Sequence, residues 1–261
     1  MRLAVAATGP FGANILGQLV ERRPIEYVLS RPDRPKGRGR RMAPTPAKGI
    51  AEEHGIPVRQ PESLADFVAE VDAVVLVDYG ALVPSRLLNE ALWLNVHPSL
   101  LPRWRGAAPI ERAIMAGDTE TGVSIIRLVE ELDAGPVGAS EIIPIEPDDD
   151  FATVFARAGR IAPDLVERVL ESPDFRAQEG EATYAEKIGP SDRELDWSRP
   201  PQELHNQIRA LSPHIGARGE LHGRPVIVWR SRVVDGELEI LEVQPEGRRR
   251  MTLEEFERGL R

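Results

Sequence analysis

Three short apolar runs, RLAVAA (2 to 7), IEYVL (25 to 29) and AVVLV (73 to 77), are separated by segments at 12 to 22 and 46 to 54 whose pattern suits helices. A strand that is apolar throughout is one covered on both faces, and strand–helix alternation of this kind builds a doubly wound, mostly parallel sheet. Ligands in that architecture sit at the carboxyl ends of the strands. The stretch 87 to 94 passes from helix to strand, Trp93 to His97 forms the next strand, and a helix is expected over 106 to 116. Further strands are expected at 122 to 129 and 137 to 145, with a helix over 151 to 170.

From 172 to 196 the chain turns polar and irregular, with Pro173, Gly180, Gly189 and Pro190, as a linker does. Beyond it lie one helical segment (201 to 211) and two alternating runs, RPVIVWRSRVV and ELEILEV, joined by Asp235-Gly236, which signal a hairpin. The expected organisation is a Rossmann-like domain over 1 to 180, a linker over 181 to 196, and a small β-rich, β-barrel-like domain over 197 to 261.

The 261 residues hold no cysteine, which removes disulfides and thiolate chemistry. The five histidines (54, 97, 205, 214 and 222) lack metal-ligand spacing, so no metal is expected. No apolar run is long enough to cross a bilayer and Gly9-Pro10 interrupts the N-terminal run, so a cytoplasmic chain without a membrane partner, and monomeric, is the expectation. The net charge of −9 disfavours indiscriminate polyanion binding, yet RPDRPKGRGRR (31 to 41) alone is +5, leaving −14 on the rest. Arginine outnumbers lysine thirty to three throughout, so the clustering is the signal rather than the residue type.

The strand ending at His97 carries Asn95 two residues earlier, and positions two apart share a strand face. An amide that donates to a developing oxyanion beside an imidazole that moves a proton suits acyl transfer through a tetrahedral intermediate. The same pair equally suits tying down a loop, and spacing leaves both open. Pro98, Pro102 and Pro109 stiffen the following loop, and the Gly106 region is expected to open a helix. Asp148, Asp149 and Asp150 precede a helix and read as its N-cap rather than as a catalytic cluster. Asp133, before Ala134-Gly135-Pro136, reads from pattern as a turn former. No GxGxxG, GxxxxGK[ST] or GxSxG occurs, which turns the reading away from common nucleotide-binding and serine-esterase sites.

NVHPSLLPRWRGAAPI (95 to 110), AGDTETGVSI (116 to 125) and LDAGP (132 to 136) resemble the methionyl-tRNA formyltransferase family, within the wider group that uses 10-formyltetrahydrofolate. The basic segment with PTPAK (44 to 48), TYAEKI (183 to 188), LDWS (195 to 198) and VIVWR (226 to 230) extend the likeness over most of the chain. The resemblance implies formyl transfer from 10-formyltetrahydrofolate, as co-substrate, to the free α-amine of initiator methionyl-tRNA. It makes Asn95, His97 and Asp133 the catalytic trio, overturning the turn-former reading of Asp133. It assigns Ser99, Leu100, Leu101 and Pro102 to the folate site, and Arg34, Lys36, Arg38, Arg40 and Arg41 to the tRNA acceptor end.

Three departures accompany the resemblance. The first turn reads TGPFGA (8 to 13) where the family usually has Gly-Thr-Pro, and Asp78 stands where a small apolar residue is usual, on the expected pterin wall. The C-terminal barrel is expected to be shortened, lacking strands after Asp235-Gly236. The rival acceptor is an amino sugar nucleotide or another small amine, which would share the trio but has no need of a +5 loop. Glycinamide ribonucleotide formyltransferase shares the HPSLLP pattern without RWRGAAPI. A hydrolase using water, or a folate- or RNA-binding protein with a decayed site, is further off, because the trio is intact and the basic loop is present.

Overall fold

The computed structural model describes residues 1 to 36 and 41 to 260. Its elements, in chain order, begin with β1 (Leu3–Ala7), α1 (Pro10–Leu19), β2 (Val28–Leu29), β3 (Arg34–Lys36), β4 (Arg41–Ala43), α2 (Pro46–Glu53), β5 (Val58–Arg59), β6 (Ala73–Val77) and α3 (Ser85–Glu90). There follow β7 (Leu92–His97), β8 (Arg105–Gly106), α4 (Pro109–Ala116), β9 (Glu120–Arg127), β10 (Val137–Pro144), α5 (Phe151–Glu171) and β11 (Tyr184–Ala185). The chain closes with α6 (Pro201–Leu211), β12 (Ala217–Leu221), β13 (Arg224–Val234), β14 (Glu237–Pro245), β15 (Met251–Thr252) and α7 (Leu253–Arg258).

Seven strands form the main sheet in the order β10-β9-β7-β6-β1-β2-β5. From β5 to β7 the pairings are parallel, and β9 runs antiparallel to β7. All five residues of β1 are buried, as a strand covered on both faces requires. Helix starts follow local chemistry. Proline opens α1, α2 and α4 at the first turn, where its missing N–H costs nothing, and the Thr45 hydroxyl caps α2 by accepting from Lys48 N. The IEYVL run contributes only Val28 and Leu29 to the sheet. The helix expected from 106 begins at Pro109, because Gly106 lies in β8 at φ +121°, so its neighbourhood does not open a helix.

The chain groups into two compact units. One comprises Met1–Arg105, Gly122–Glu141 and Ala158–Ala182; the other comprises Gly106–Thr121, Ile142–Arg157 and Thr183–Arg261. The first holds the sheet core, in which Tyr27, Leu29, Val74, Tyr79 and Trp93 are buried together. The second is built on an antiparallel sheet, β12-β13-β14-β15, with Ile208 and Leu211 of α6 buried against Val226, Val228 and Val243. This four-stranded sheet is the small β-rich C-terminal unit expected from the sequence. Two strands, β14 and β15, do follow Asp235-Gly236, which corrects the expected loss of strands beyond that turn. Among the described residues, no helix is long and apolar enough to cross a membrane, and no cluster of side chains suits a metal.

Candidate active site

Strand β7 ends with Asn95 and His97, 8% and 4% exposed, and Asp133 in the turn after β9 is 6% exposed. The three meet. Asn95 Nδ2 donates to Asp133 Oδ1 at 3.0 Å, and His97 Nδ1 lies 3.6 Å from Asp133 Oδ2. His97 Nε2 is 2.8 Å from the Trp104 carbonyl, which can only accept, so Nε2 carries the hydrogen. Nδ1 is thereby turned to the carboxylate.

Asp133 reaches this position through an unusual backbone. Its φ is +50°, and Gly135 leaves no room for a side chain, since a Cβ there would stand 1.8 Å from the Arg127 carbonyl oxygen. Left-handed backbone at a non-glycine residue costs of order 1–3 kcal/mol and persists where the surroundings fix it. Those surroundings include Gln178, whose Nε2 donates to the carbonyls of Asp133 (2.7 Å) and Gly135 (2.8 Å) while Oε1 accepts from Arg105. Gln178 falls in the polar, irregular stretch that begins at 172, at the end of the expected 1 to 180 domain, and a neutral amide there carries no signal in the sequence.

The SLLP loop is fixed from inside. Ser99 is fully buried and its hydroxyl donates to Arg103 O at 2.6 Å, so this side chain shapes the loop. Ser124 on β9, paired in register with His97, donates to Ser99 O (2.7 Å) and accepts from Leu101 N (3.2 Å). Leu100, Leu101 and Pro102 are half-buried, and Leu100 packs over Gly122. A partly exposed apolar wall therefore begins three residues after His97.

The basic segment forms the arms of a hairpin, Arg34 pairing with Ala43 and Lys36 with Arg41. Arg34 is exposed; Arg38 and Arg40 lie outside the described residues, as do the side chains of Lys36 and Arg41. The one acid of the segment, Asp33, is bound by Lys48 Nζ (2.7 Å) and Gln60 Nε2 (2.8 Å), and these bonds hold its carboxyl below the usual range. The anchor pairs Asp33 within the fold, while Arg34 beside it is exposed.

The Asp148–Asp150 cluster is structural. Asp150 caps α5 by accepting from Thr153 N and Oγ1, both at 2.9 Å, and Asp149 pairs with Arg157.

Residues 1 to 170 match the family described as formyl transferase, and 187 to 238 match the formyl transferase C-terminal domain. A methionyl-tRNA formyltransferase of Methylococcus capsulatus is 37% identical over 297 aligned positions, covering 98% of this chain and 96% of that protein. The alignment is longer than the chain, so that relative carries residues this one lacks. Among solved structures, a methionyl-tRNA formyltransferase from Clostridium thermocellum superposes with a TM-score of 0.68 at 16% identity, over 94% of this chain and 98% of that one. HypX from Aquifex aeolicus, in complex with tetrahydrofolic acid, gives 0.69 at 17% identity, over 98% of this chain and 46% of that one. At those identities the structural likeness speaks to the fold.

Proposed function

The chain belongs to the formyl transferase family, and from that premise we propose that it transfers the formyl group of 10-formyltetrahydrofolate to the free α-amine of initiator methionyl-tRNA. The observation that carries the reading is the buried contact of Asn95, His97 and Asp133 at the end of β7. Relatives named for this reaction match over nearly their whole length, and no comparable reason favours an amino sugar nucleotide.

10-Formyltetrahydrofolate supplies the formyl carbon, and the residues present suit it: buried N–H donors beside an apolar wall of Leu100, Leu101 and Pro102. The neutral α-amine attacks that carbon and negative charge builds on the formyl oxygen. Collapse of the tetrahedral intermediate then breaks the bond from that carbon to folate N10, which takes up the proton the amine loses and leaves as tetrahydrofolate. One amide hydrogen of Asn95 is given to Asp133, which leaves the other for the oxyanion. The His97 Nε2–H, shared between the Trp104 carbonyl and the oxyanion, supplies a second donor, and Asp133 orients the ring through Nδ1 while the amine sheds its proton. Ser99 shapes the folate loop from within. Arg34, Lys36, Arg38, Arg40 and Arg41 contact phosphates of the acceptor end, and region 197 to 261 assists in holding the tRNA while region 1 to 180 performs the transfer.

The test is purified protein with 10-formyltetrahydrofolate and charged initiator tRNA, run beside amino sugar nucleotides and a reaction without acceptor. Formyl transfer to the tRNA is expected; transfer only to a sugar, or only to water, refutes the reading. Alanine at Asn95, His97 or Asp133 is expected to lower kcat by roughly a hundredfold or more with folding intact. Near-normal turnover in all three variants would remove the trio assignment.

A further inference from the structure

A second feature of the same unit lies outside the trio. A cavity of about 400 Å³ opens at the carboxyl ends of β1, β2 and β6, and its lining includes Thr8, Gly9, Arg31, Arg34, Asp78 and Tyr79. β1 pairs with β2 on one side and β6 on the other, so this is the crevice where the strand order reverses. In doubly wound folds that crevice seats a phosphate on the head of the first helix, against its unpaired N–H groups.

Here the seat is taken by the protein itself. Helix α1 has no cap from its own N-cap residue and no acid in its first turn. Instead the Asp78 carboxyl, from the end of β6, accepts the Phe11 N–H. The fit is close, for a Cβ on Gly9 would stand 1.8 Å from Asp78 Oδ2, and Asp78 holds a φ of +48° to get there. Asp78 is exposed as a residue, but its carboxyl lies against the helix head at Gly9, where burial pushes it above the ordinary carboxylate range and the Phe11 N–H draws it back.

The register sets where this carboxyl stands relative to the chemistry. Leu76 of β6 pairs with Asn95 of β7, so Asp78, just past the end of β6 at Val77, follows the strand that lies beside the one ending at His97. A carboxylate repels a phosphate and attracts an ammonium.

Resting on the aminoacyl-acceptor reading above, we propose that Asp78 closes the phosphate seat of α1 and makes this cavity a holder for the acceptor's α-ammonium. Arg31 and Arg34 line the same cavity and offer the opposite charge to phosphates that follow the ester. The polarity matches an aminoacyl ester of a nucleic acid, cationic at its amine and anionic behind it. The ammonium releases its proton to solvent before attack, so Asp78 is a positioning residue and takes no part in the bond exchange.

The test compares the wild-type protein with Asp78→Ala and with Asp78→Asn, which keeps an acceptor oxygen for Phe11 and loses the charge. Calorimetric titration with inorganic phosphate is expected to show at least roughly tenfold tighter binding in Asp78→Ala, where the helix head is vacated, and a smaller gain in Asp78→Asn, where only the repelling charge is lost. In formyl transfer, Asp78→Asn is expected to raise the KM for methionyl-tRNA by about tenfold, with the larger share of the loss in KM rather than kcat. Unchanged phosphate affinity in a folded variant, or a loss confined to kcat, overturns the proposal; should Asp78→Ala fail to fold, Asp78→Asn decides. If the wild-type protein formylates no methionyl-tRNA, the acceptor reading fails by itself, and the phosphate titration still decides whether Asp78 closes the seat.

Discussion

Gln178 shows how much of an active site can rest on an uncharged side chain. Its amide holds the carbonyls of Asp133 and Gly135, in a turn whose left-handed residue is the proposed catalytic carboxylate. Removing both bonds leaves Asp133 free to relax, so Gln178→Ala is expected to lower kcat about tenfold while the KM for folate moves little, since geometry lost at a reacting centre is felt in the chemical step. Steady-state kinetics on a variant with unaltered circular dichroism decides this; wild-type kcat would mean the turn holds itself. Asn95 and His97 were legible in the sequence because strand spacing puts them on one face. Asp133 became legible only through resemblance, because a turn-forming Asp and a catalytic one look alike in a single sequence. Trp104 was out of reach, because its part in the site is played by a backbone carbonyl. A second residue, His205, carries a pH prediction. Burial lowers its pKa from 6.5, the nearby Arg209 charge adds to that and Asp148 opposes it, and the ring bonds to Ser231 Oγ and Pro147 O. The fold keeps it neutral while the unfolded chain protonates it near 6.5, so its stabilisation is complete above that pH and drains as pH falls through the lowered folded value. Urea midpoints are therefore expected to fall more between about pH 8 and about pH 5 in the wild-type protein than in His205→Gln. Asp33 and Asp192, whose carboxyls are held below their usual 3.8, add acid sensitivity only lower down, which keeps the windows apart.

At the scale of elements, the hairpin of β3 and β4 joins a charge pattern visible in the sequence to a shape that was not. Nothing in RPDRPKGRGRR alternates in polarity, and its prolines and glycines argue against strand, so the pairing of Arg34 with Ala43 had no local signal. The anchor at its base, Lys48 and Gln60 on Asp33, joins residues 12 to 27 positions apart in the chain and was equally hidden. The main strands and helices were legible for the opposite reason: AVVLV and RLAVAA are unbroken apolar runs that only a covered strand explains. Charge in the hairpin should be read out as salt dependence. Each phosphate that a basic side chain no longer neutralises lowers the magnitude of the log affinity against log salt slope by about 0.7 to 0.9, so the triple variant Arg34→Gln, Lys36→Gln and Arg41→Gln is expected to reduce it by about two to three. Filter binding of methionyl-tRNA over a salt series measures it. A slope equal to that of the wild-type protein would place the acceptor end elsewhere.

On the scale of the whole molecule, composition marks a polar stretch near 172 to 196, but packing gathers more than the C-terminal region beyond that stretch. The unit containing Thr183–Arg261 also takes in Gly106–Thr121 and Ile142–Arg157. Long-range packing of this kind leaves no trace in a linear pattern, because each piece satisfies its own periodicity. It has an energetic consequence that can be measured. In the full chain, Arg209, 8% exposed, donates to the carbonyls of Glu146 and Asp149; His205 bonds to Pro147 O; Asp192 pairs with Arg112 at 2.8 and 2.9 Å; and Met115 packs on the Ile208 cluster. A fragment of Thr183–Arg261 loses every one of those partners while keeping the groups they satisfied. A buried donor left unsatisfied costs about 1–3 kcal/mol and a buried charge more, whereas a chain of roughly 80 residues rarely commands above about 3–5 kcal/mol in total. The losses exceed the margin. The fragment is therefore expected to show no cooperative urea transition and poorly dispersed amide resonances, while the full chain unfolds cooperatively. A sharp transition in the isolated fragment would mean that α6 and its four-stranded sheet hold their core without α4 and the segment before α5, and that Arg209 finds other acceptors within the fragment.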